Sequence, residues 1–334
     1  MANYLNAGDL SDVWRALKKR GAKLPWGAAT RRVQAKWDAH VTAKGAHWWD
    51  VPAVQQRWNQ LFSGDETRNY VSVLAEALEE RFQASTELRV LSPGCGVGTW
   101  ECELATLDMV TSVQGIDLSP ERIAAAHKRK SRLPPFAQQK LQFEAKPLLA
   151  HRLPEAGYEV LHFHQSLHHF TDLQVLMAQL RRALAPNGLL VLHEYVGPNR
   201  LQFPAERVSW WNEWFRRLPS RLRSRASDGS LKRRVYAPGL WRMKAVDPSE
   251  APESEAMLPA VNRYFSPIQE AWLGGDLLHL VLKDIAHHFV DASDTEAQHW
   301  LAKLLAAEDA YIHATGRSDY ILGFYTPKPE GALA

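Results

Sequence analysis

Three glycines spaced two apart, in Leu91-Ser92-Pro93-Gly94-Cys95-Gly96-Val97-Gly98-Thr99, make a turn between an apolar run and a helical stretch. Glycine lets the main chain turn sharply and lets a ligand approach with no Cβ in the way. The helix that follows offers N–H groups with no partner of their own. Alone, such a turn suits nucleotide ligands of several kinds. Asp117 narrows the choice: it ends the next apolar run, nineteen residues after Gly98, where a carboxylate can accept both hydroxyls of a ribose. The G-x-G-x-G spacing is not the G-x-G-x-x-G of dinucleotide folds, and the lysine of phosphate loops is missing from the turn. What fits is an adenosine ligand without a pyrophosphate.

Two further segments can carry chemistry. His162-Phe163-His164-Gln165-Ser166-Leu167-His168-His169 is dense in imidazole. On a strand, alternate residues face one side, so two of these rings can meet. A shared metal is one reading; shaping of a cleft is preferred, and no metal is expected. Histidine is easily neutral at cell pH, so His164, His168 or His169 can serve as base or pocket wall. His193-Glu194-Tyr195 closes another apolar run. Ligands of open parallel sheets sit at the carboxyl ends of strands, which places these three at the cleft, or leaves Glu194 to pair with Arg200 or cap a loop. His164, His169, Glu194 and Tyr195 are the catalytic candidates.

These residues need a frame. From Leu88 the pattern alternates strand and helix. Strands are expected at 88–92, 112–117, 141–144, 158–164 and 189–195. Ser119-Pro120 starts one helix as cap and first residue. Thr171-Asp172-Leu173-Gln174 opens another as a capping box. Pro186-Asn187-Gly188 is a turn. Such alternation argues for an α/β fold, a parallel sheet covered on both faces. Residues 66–82 form a helix with Tyr70, Leu74, Leu78 and Phe82 on one face. Residues 196–260 hold seven of the nineteen prolines and break the regularity. A strand near 267–273, helices at 276–287 and 295–313, and a last strand at 319–325 follow. Helices are also expected at 9–20 and 31–43.

The segments VLSPGCGVGTWECELA, QGIDLSPERI, YEVLHFHQSLHHF and LRRALAPNGLLVLHEY, in this order over roughly 85–195, resemble the class I S-adenosylmethionine (SAM) methyltransferases. A narrower resemblance, through Val54–Asp65, Glu194–Arg200, Asp247–Glu250 and Gly274–His279, is to bacterial methyltransferase homologues. The resemblance implies a Rossmann-like, seven-stranded, mostly parallel sheet whose last strand, 319–325, is antiparallel. The Trp-rich N-terminal segment, residues 1–65, is expected to form a helical lid over the cleft, ahead of a methyltransferase-like domain over 66–334 with an insertion at about 196–264. By position, Pro93, Gly94, Cys95, Gly96 and Gly98 would pass under the methionine and adenosine parts of SAM. Asp117 would hold the ribose, Leu118 the adenine, and His164 and Gln165 the methionine end. The family often has an aspartate after the third strand for the adenine amine; Ala145 and Lys146 stand there instead.

Composition sets the outer bounds. Forty Lys and Arg against 37 Asp and Glu leave +3 over 334 residues, no case for global attraction to nucleic acid or membrane. Two cysteines exclude a disulfide scaffold or Cys-rich zinc site. No apolar run is long enough to span a bilayer, no signal pattern opens the chain, and a cytoplasmic location is expected. Six of thirteen tryptophans fall in residues 1–60. Most are read as core, but an aromatic face over a sulfonium contributes roughly 2 kcal/mol when water is excluded. The leading expectation is a SAM-dependent enzyme methylating a small molecule in specialised metabolism. One alternative keeps SAM as the substrate: its α-amine attacks its own γ-carbon, giving azetidine-2-carboxylate and methylthioadenosine, as in the azetidine-2-carboxylate synthases that resemble methyltransferases. Another is an RNA-modifying methyltransferase using Arg216–Arg234, where eight Lys or Arg face one Asp; a solvated loop is preferred there.

Overall fold

Seven apolar runs fold as strands in the computed structural model, which describes residues 4–10, 46–83, 86–148, 152–329 and 331. They are β1 (Leu88–Pro93), β2 (Val110–Asp117), β3 (Leu141–Ala145), β4 (Tyr158–His164), β5 (Leu184–Tyr195), β6 (Phe265–Gly274) and β7 (Tyr320–Pro327). They join one sheet in the order β3-β2-β1-β4-β5-β7-β6. Neighbours among β1 to β5 pair parallel, and β7 is antiparallel to both β5 and β6. This is the Rossmann-like α/β sheet expected, antiparallel last strand included.

Helices cover both faces, so the central strands are apolar on both sides, as parallel strands must be. Alternate residues feed two cores. Val90, Val160, Leu189 and Val191 pack toward Val73, Leu74 and Leu78 of α2 (Tyr70–Arg81). Leu91, Leu161, Phe163, Leu190 and Leu192 pack toward α6 (Leu173–Ala183) and α9 (Ser254–Tyr264). The period of two therefore assigns sides at the strand ends. His162, His164, His193 and Tyr195 share the face of α2, and Glu194 belongs to the other.

Further helices among the described residues include α1 (Pro52–Ser63), α3 (Thr99–Leu104), α4 (Pro120–Lys130), α5 (Pro135–Lys140), α7 (Ala205–Arg217), α8 (Leu240–Val246), α10 (Leu278–Val281) and α11 (Thr295–Thr315). Ser119 caps α4 as expected, accepting from the Arg122 N–H at 3.1 Å. Four expectations shift. The helix foreseen from 66 starts at Tyr70, where the Asn69 side chain accepts from the Ser72 N–H at 3.0 Å. The capping box at 171–174 does not form: Asp172 sits at φ 54° with no side-chain cap bond, and Glu253 from the insertion reaches the Leu173 N–H at 3.4 Å. The 186–188 turn is absorbed as a bulge in β5, between the pairs Tyr158–Leu184 and Val160–Leu189. The helix expected over 276–287 is broken after Val281.

Asn69→Ala removes a helix cap and should cost about 1 kcal/mol. A melting temperature lowered by roughly 2 °C in a chain of this size checks it.

The insertion is pinned at its base. The Arg207 guanidinium of α7 donates to both Asp319 oxygens at 2.7 Å and to the Tyr311 hydroxyl at 2.7 Å. Of the expected N-terminal lid, residues 11–45, with Trp14, Trp26 and Trp37, lie outside the described residues. The part from Trp48 onward packs on the sheet. Val54 and Phe62 of α1 are buried, Trp58 Nε1 donates to the Leu273 carbonyl at 2.8 Å, and Arg57 binds Glu308 at 3.0 Å. Arg57 also binds Asp309 at 2.7 Å. Helix α1 is thus built into the domain, on the near side of the boundary expected at 65.

Candidate active site

At the β1–α3 turn Gly94, Gly96 and Gly98 all have φ between 58° and 72°, the left-handed region that side chains disfavour. Two have no room for a Cβ. At Gly94 it would lie 2.5 Å from Ser166 Cβ, and at Gly98 2.7 Å from the Phe143 ring. The turn is fastened to β2: the Gly94 and Cys95 N–H groups donate to the Ile116 carbonyl at 2.6 and 3.1 Å. Asp117, 8% exposed, accepts from the Gly96 N–H at 2.9 Å and the Ser119 N–H at 2.8 Å. The Arg122 guanidinium stands 3.8 Å away. Turn and carboxylate are thus one rigid unit. Each carboxylate oxygen has taken a single backbone donor, leaving acceptor capacity for hydroxyls.

This unit opens into a cleft of about 1420 Å³. Gly94, Cys95, Gly96, Asp117, Leu118, His164, Gln165, His169 and Tyr195 all line it, so the structure brings most of the expected residues to one place. Leu118 shares one end with Lys146, Pro147 and Leu148. Lys146, where the family often carries an acid, donates to Glu144 at 2.8 Å.

The other end is walled by rings. Tyr70 packs edge-on against Trp100 at 5.1 Å and His164 at 5.8 Å. Trp100 lies 4.5 Å from His164 and Trp58 5.1 Å from His193. Beneath them His162 is fully buried with both nitrogens partnered, by the Tyr70 hydroxyl at 2.7 Å and Ser92 Oγ at 3.3 Å. Burial pushes His162 down to about 3 and His193 to about 4, and holds His164 well below the usual range. All three are neutral at physiological pH. Glu101, buried beside Ser92 Oγ at 2.5 Å, is pushed up by that burial to about 7.

On the opposite face of β5 Glu194 is wholly buried. It accepts from the Ser166 and Leu167 N–H groups, both at 2.7 Å, and meets His168 Nδ1 at 2.7 Å. Burial disfavours a charged His168, but the hydrogen bond and charge of Glu194, with Glu250 and Asp247, outweigh it and raise its pKa. Glu194 caps the turn after β4. Tyr195 lines the cleft while its hydroxyl donates to the Pro198 carbonyl at 3.0 Å. His169 meets the Ser249 carbonyl through Nδ1 at 3.1 Å, so the insertion closes this side. Among the described residues His168, His169 and Glu250 place ligand atoms within 4.8 Å of one another. Gln165 is held at φ 52° with its N–H on the His193 carbonyl at 2.8 Å.

Tyr70, Trp100 and Ser166 were missed as site residues. Trp100 had a signal, standing two residues past Gly98. Tyr70 shares the four-residue spacing of Leu74 and Leu78, the pattern of a core face.

The comparisons with known proteins agree with this geometry. The family model described as a methyltransferase domain matches residues 65–240, more than half of the chain. The chain belongs to this family, the class I SAM-dependent methyltransferases. SAM is the cofactor of the family, and the glycine turn with Asp117 fits its adenosyl part.

Among relatives, 27-O-demethylrifamycin SV methyltransferase of Amycolatopsis mediterranei (strain S699) is 31% identical over 123 residues, 36% of this chain and 44% of its own length. A 37.1 kDa protein in transposon TN4556 of Streptomyces fradiae is 32% identical over 148 residues, 43% of this chain and 39% of its own. These matches span less than half the length of the curated relatives. Geranyl diphosphate C-methyltransferase from Streptomyces coelicolor A3(2), solved with Mg2+, geranyl diphosphate and S-adenosyl-L-homocysteine, superposes with a TM-score of 0.51 at 14% identity. That match covers 92% of this chain and 100% of the other, a likeness of fold alone. No helix among the described residues is long and apolar enough to cross a membrane.

Proposed function

We propose that the chain transfers the methyl group of SAM to a small, largely apolar acceptor. One observation carries the reading. The Gly94–Gly98 turn and Asp117 open into a cleft of about 1420 Å³, more than the roughly 300–1,000 Å³ of one small-ligand site, and its far end is walled by aromatic rings.

When bound, SAM supplies an activated methyl carbon on a sulfonium. Gly94, Gly96 and Gly98, with Pro93 and Cys95, admit the nucleoside close to the backbone. Asp117 accepts the ribose hydroxyls, Leu118 covers the adenine, and Gln165 flanks the methionine end. Trp58, Tyr70 and Trp100 offer π faces to a cation, about 0.5–2 kcal/mol each as water is excluded. Methyl transfer in line requires positioning more than proton movement. A base is needed where the acceptor holds its proton near neutral pH; His169 is the cleft group placed to take one, while His164, kept neutral by burial, and Tyr195 wall the site. Glu194 acts on the site through the turn that it caps.

The basic stretch supports a small acceptor over RNA. Arg217 pairs with Glu213 at 2.5 Å, Arg221 with Asp294 at 2.7 Å and with Glu296, and Lys232 is buried on the carbonyls of Leu280, Val281 and Lys283. Three of its eight cations are thus engaged by the chain's own groups, with Lys232 buried.

Incubating the purified protein with SAM, with and without a small-molecule extract, tests the reading by mass spectrometry. S-adenosylhomocysteine appearing only with the extract is expected. Methylthioadenosine accumulating from SAM alone would replace methyl transfer by cyclisation.

A further inference from the structure

Three histidines on one face of adjacent strands differ in a way that folding does not require. His162 has both ring nitrogens partnered. One step further along β4, His164 lines the cleft with Nε2 buried and unpartnered, and beside it on β5 His193 has neither nitrogen partnered. His193 is 6% exposed. The two residues are register partners, with ring centroids 4.4 Å apart. A buried polar atom without a hydrogen bond costs about 1–3 kcal/mol, and a native site that gathers such atoms from two rings on a cleft wall points to a ligand that bonds at least one nitrogen of each ring. The surroundings say what kind. Trp58, Tyr70 and Trp100 enclose the pair edge-on or tilted. No cation or carboxylate is needed by a neutral imidazole, which offers one donor and one acceptor.

We infer that His164 and His193 bind a hydroxyl group on a flat, aromatic methyl acceptor. The ring of the acceptor lies among the three aromatic side chains, and its hydroxyl donates to one imidazole nitrogen and accepts from the other N–H. The histidines are positioning and specificity residues: they hold the oxygen with a lone pair turned toward the methyl donor. This rests on the methyltransferase reading above and names its substrate class.

The probes are 2-naphthol and its methyl ether, 2-methoxynaphthalene, titrated by ligand-observed NMR into the protein saturated with S-adenosylhomocysteine. The ether keeps the acceptor oxygen and the flat body but has no hydroxyl donor. A preference for 2-naphthol of about tenfold or more is expected, the worth of one buried hydrogen bond. His193→Phe should erase the preference with S-adenosylhomocysteine affinity kept, and His193→Gln, which retains a donor and an acceptor, should restore part of it. No preference in the wild-type protein overturns the inference, as does no binding of 2-naphthol at millimolar concentration. So does a preference that survives His193→Phe, or loss of S-adenosylhomocysteine binding in that variant, which would assign the nitrogens to the nucleoside's amino-acid end. Failure of the wild-type protein to bind S-adenosylhomocysteine is a separate result and sinks the methyltransferase reading itself.

Discussion

Asp117→Ala raises the SAM dissociation constant at least about a hundredfold, measured by calorimetry. A hydrogen bond to a charged group is worth about 1.5–3 kcal/mol, and two ribose hydroxyls lose their acceptor together. Even the lower figure for both gives about 3 kcal/mol, two decades of affinity. A second loss follows from the fold. Gly96 and Ser119 N–H groups, both tied to this carboxylate, lose their partner, and the turn is no longer held against β2 from that side. Asp117→Asn separates the two effects. Its amide oxygen can keep one backbone bond, so the turn survives better than the affinity does. Unchanged binding in Asp117→Ala would remove this residue from the site and the adenosyl assignment with it.

The parts of the site that could be read from sequence are those in which local geometry and chemistry coincide. A glycine at 94 or 98 is demanded by the main chain itself, and Asp117 ends a strand, where period and position place it without knowledge of the rest of the fold. The strands at 158–164 and 189–195 were legible for the same reason, as apolar runs bounded by breakers. The rest depended on contacts between distant residues. His162 and His164 share a face by alternation, yet one is a satisfied core group and the other is not. The difference lies in Tyr70, far away in the chain. The failed capping box at 171–174 is of the same kind: Asp172 adopts a left-handed conformation and Glu253, eighty residues on, serves the helix instead. Lys146 looked like a lost adenine contact, and in the fold it is engaged by Glu144 on the strand just before it.

Glu194 shows how a strand-end acid can be misplaced by one residue of pleat. His193 and Tyr195 face the cleft, and Glu194, between them, faces the other core, where it closes the turn that carries Gln165 and Ser166. Glu194→Ala should therefore destabilise the protein by about 3–5 kcal/mol, the usual cost of leaving a buried charge and its partners unpaired. Urea unfolding measures it. The isosteric Glu194→Gln isolates the charge. His168 titrates above its free value of 6.5 in the fold, so its attraction to Glu194 stabilises fully below that pH and fades as pH rises through the raised value. The stability gap between wild type and Glu194→Gln should be widest near pH 6 and narrow steadily on the alkaline side; a gap constant with pH would mean that His168 is neutral throughout. SAM affinity should fall in the same variants. Ser166 Oγ holds the Pro93 carbonyl at 2.8 Å and its Cβ fills the space above Gly94, so a loosened turn after β4 releases the glycine turn after β1. A carboxylate that touches neither ligand thus sets the geometry of the strand ends between which both must bind.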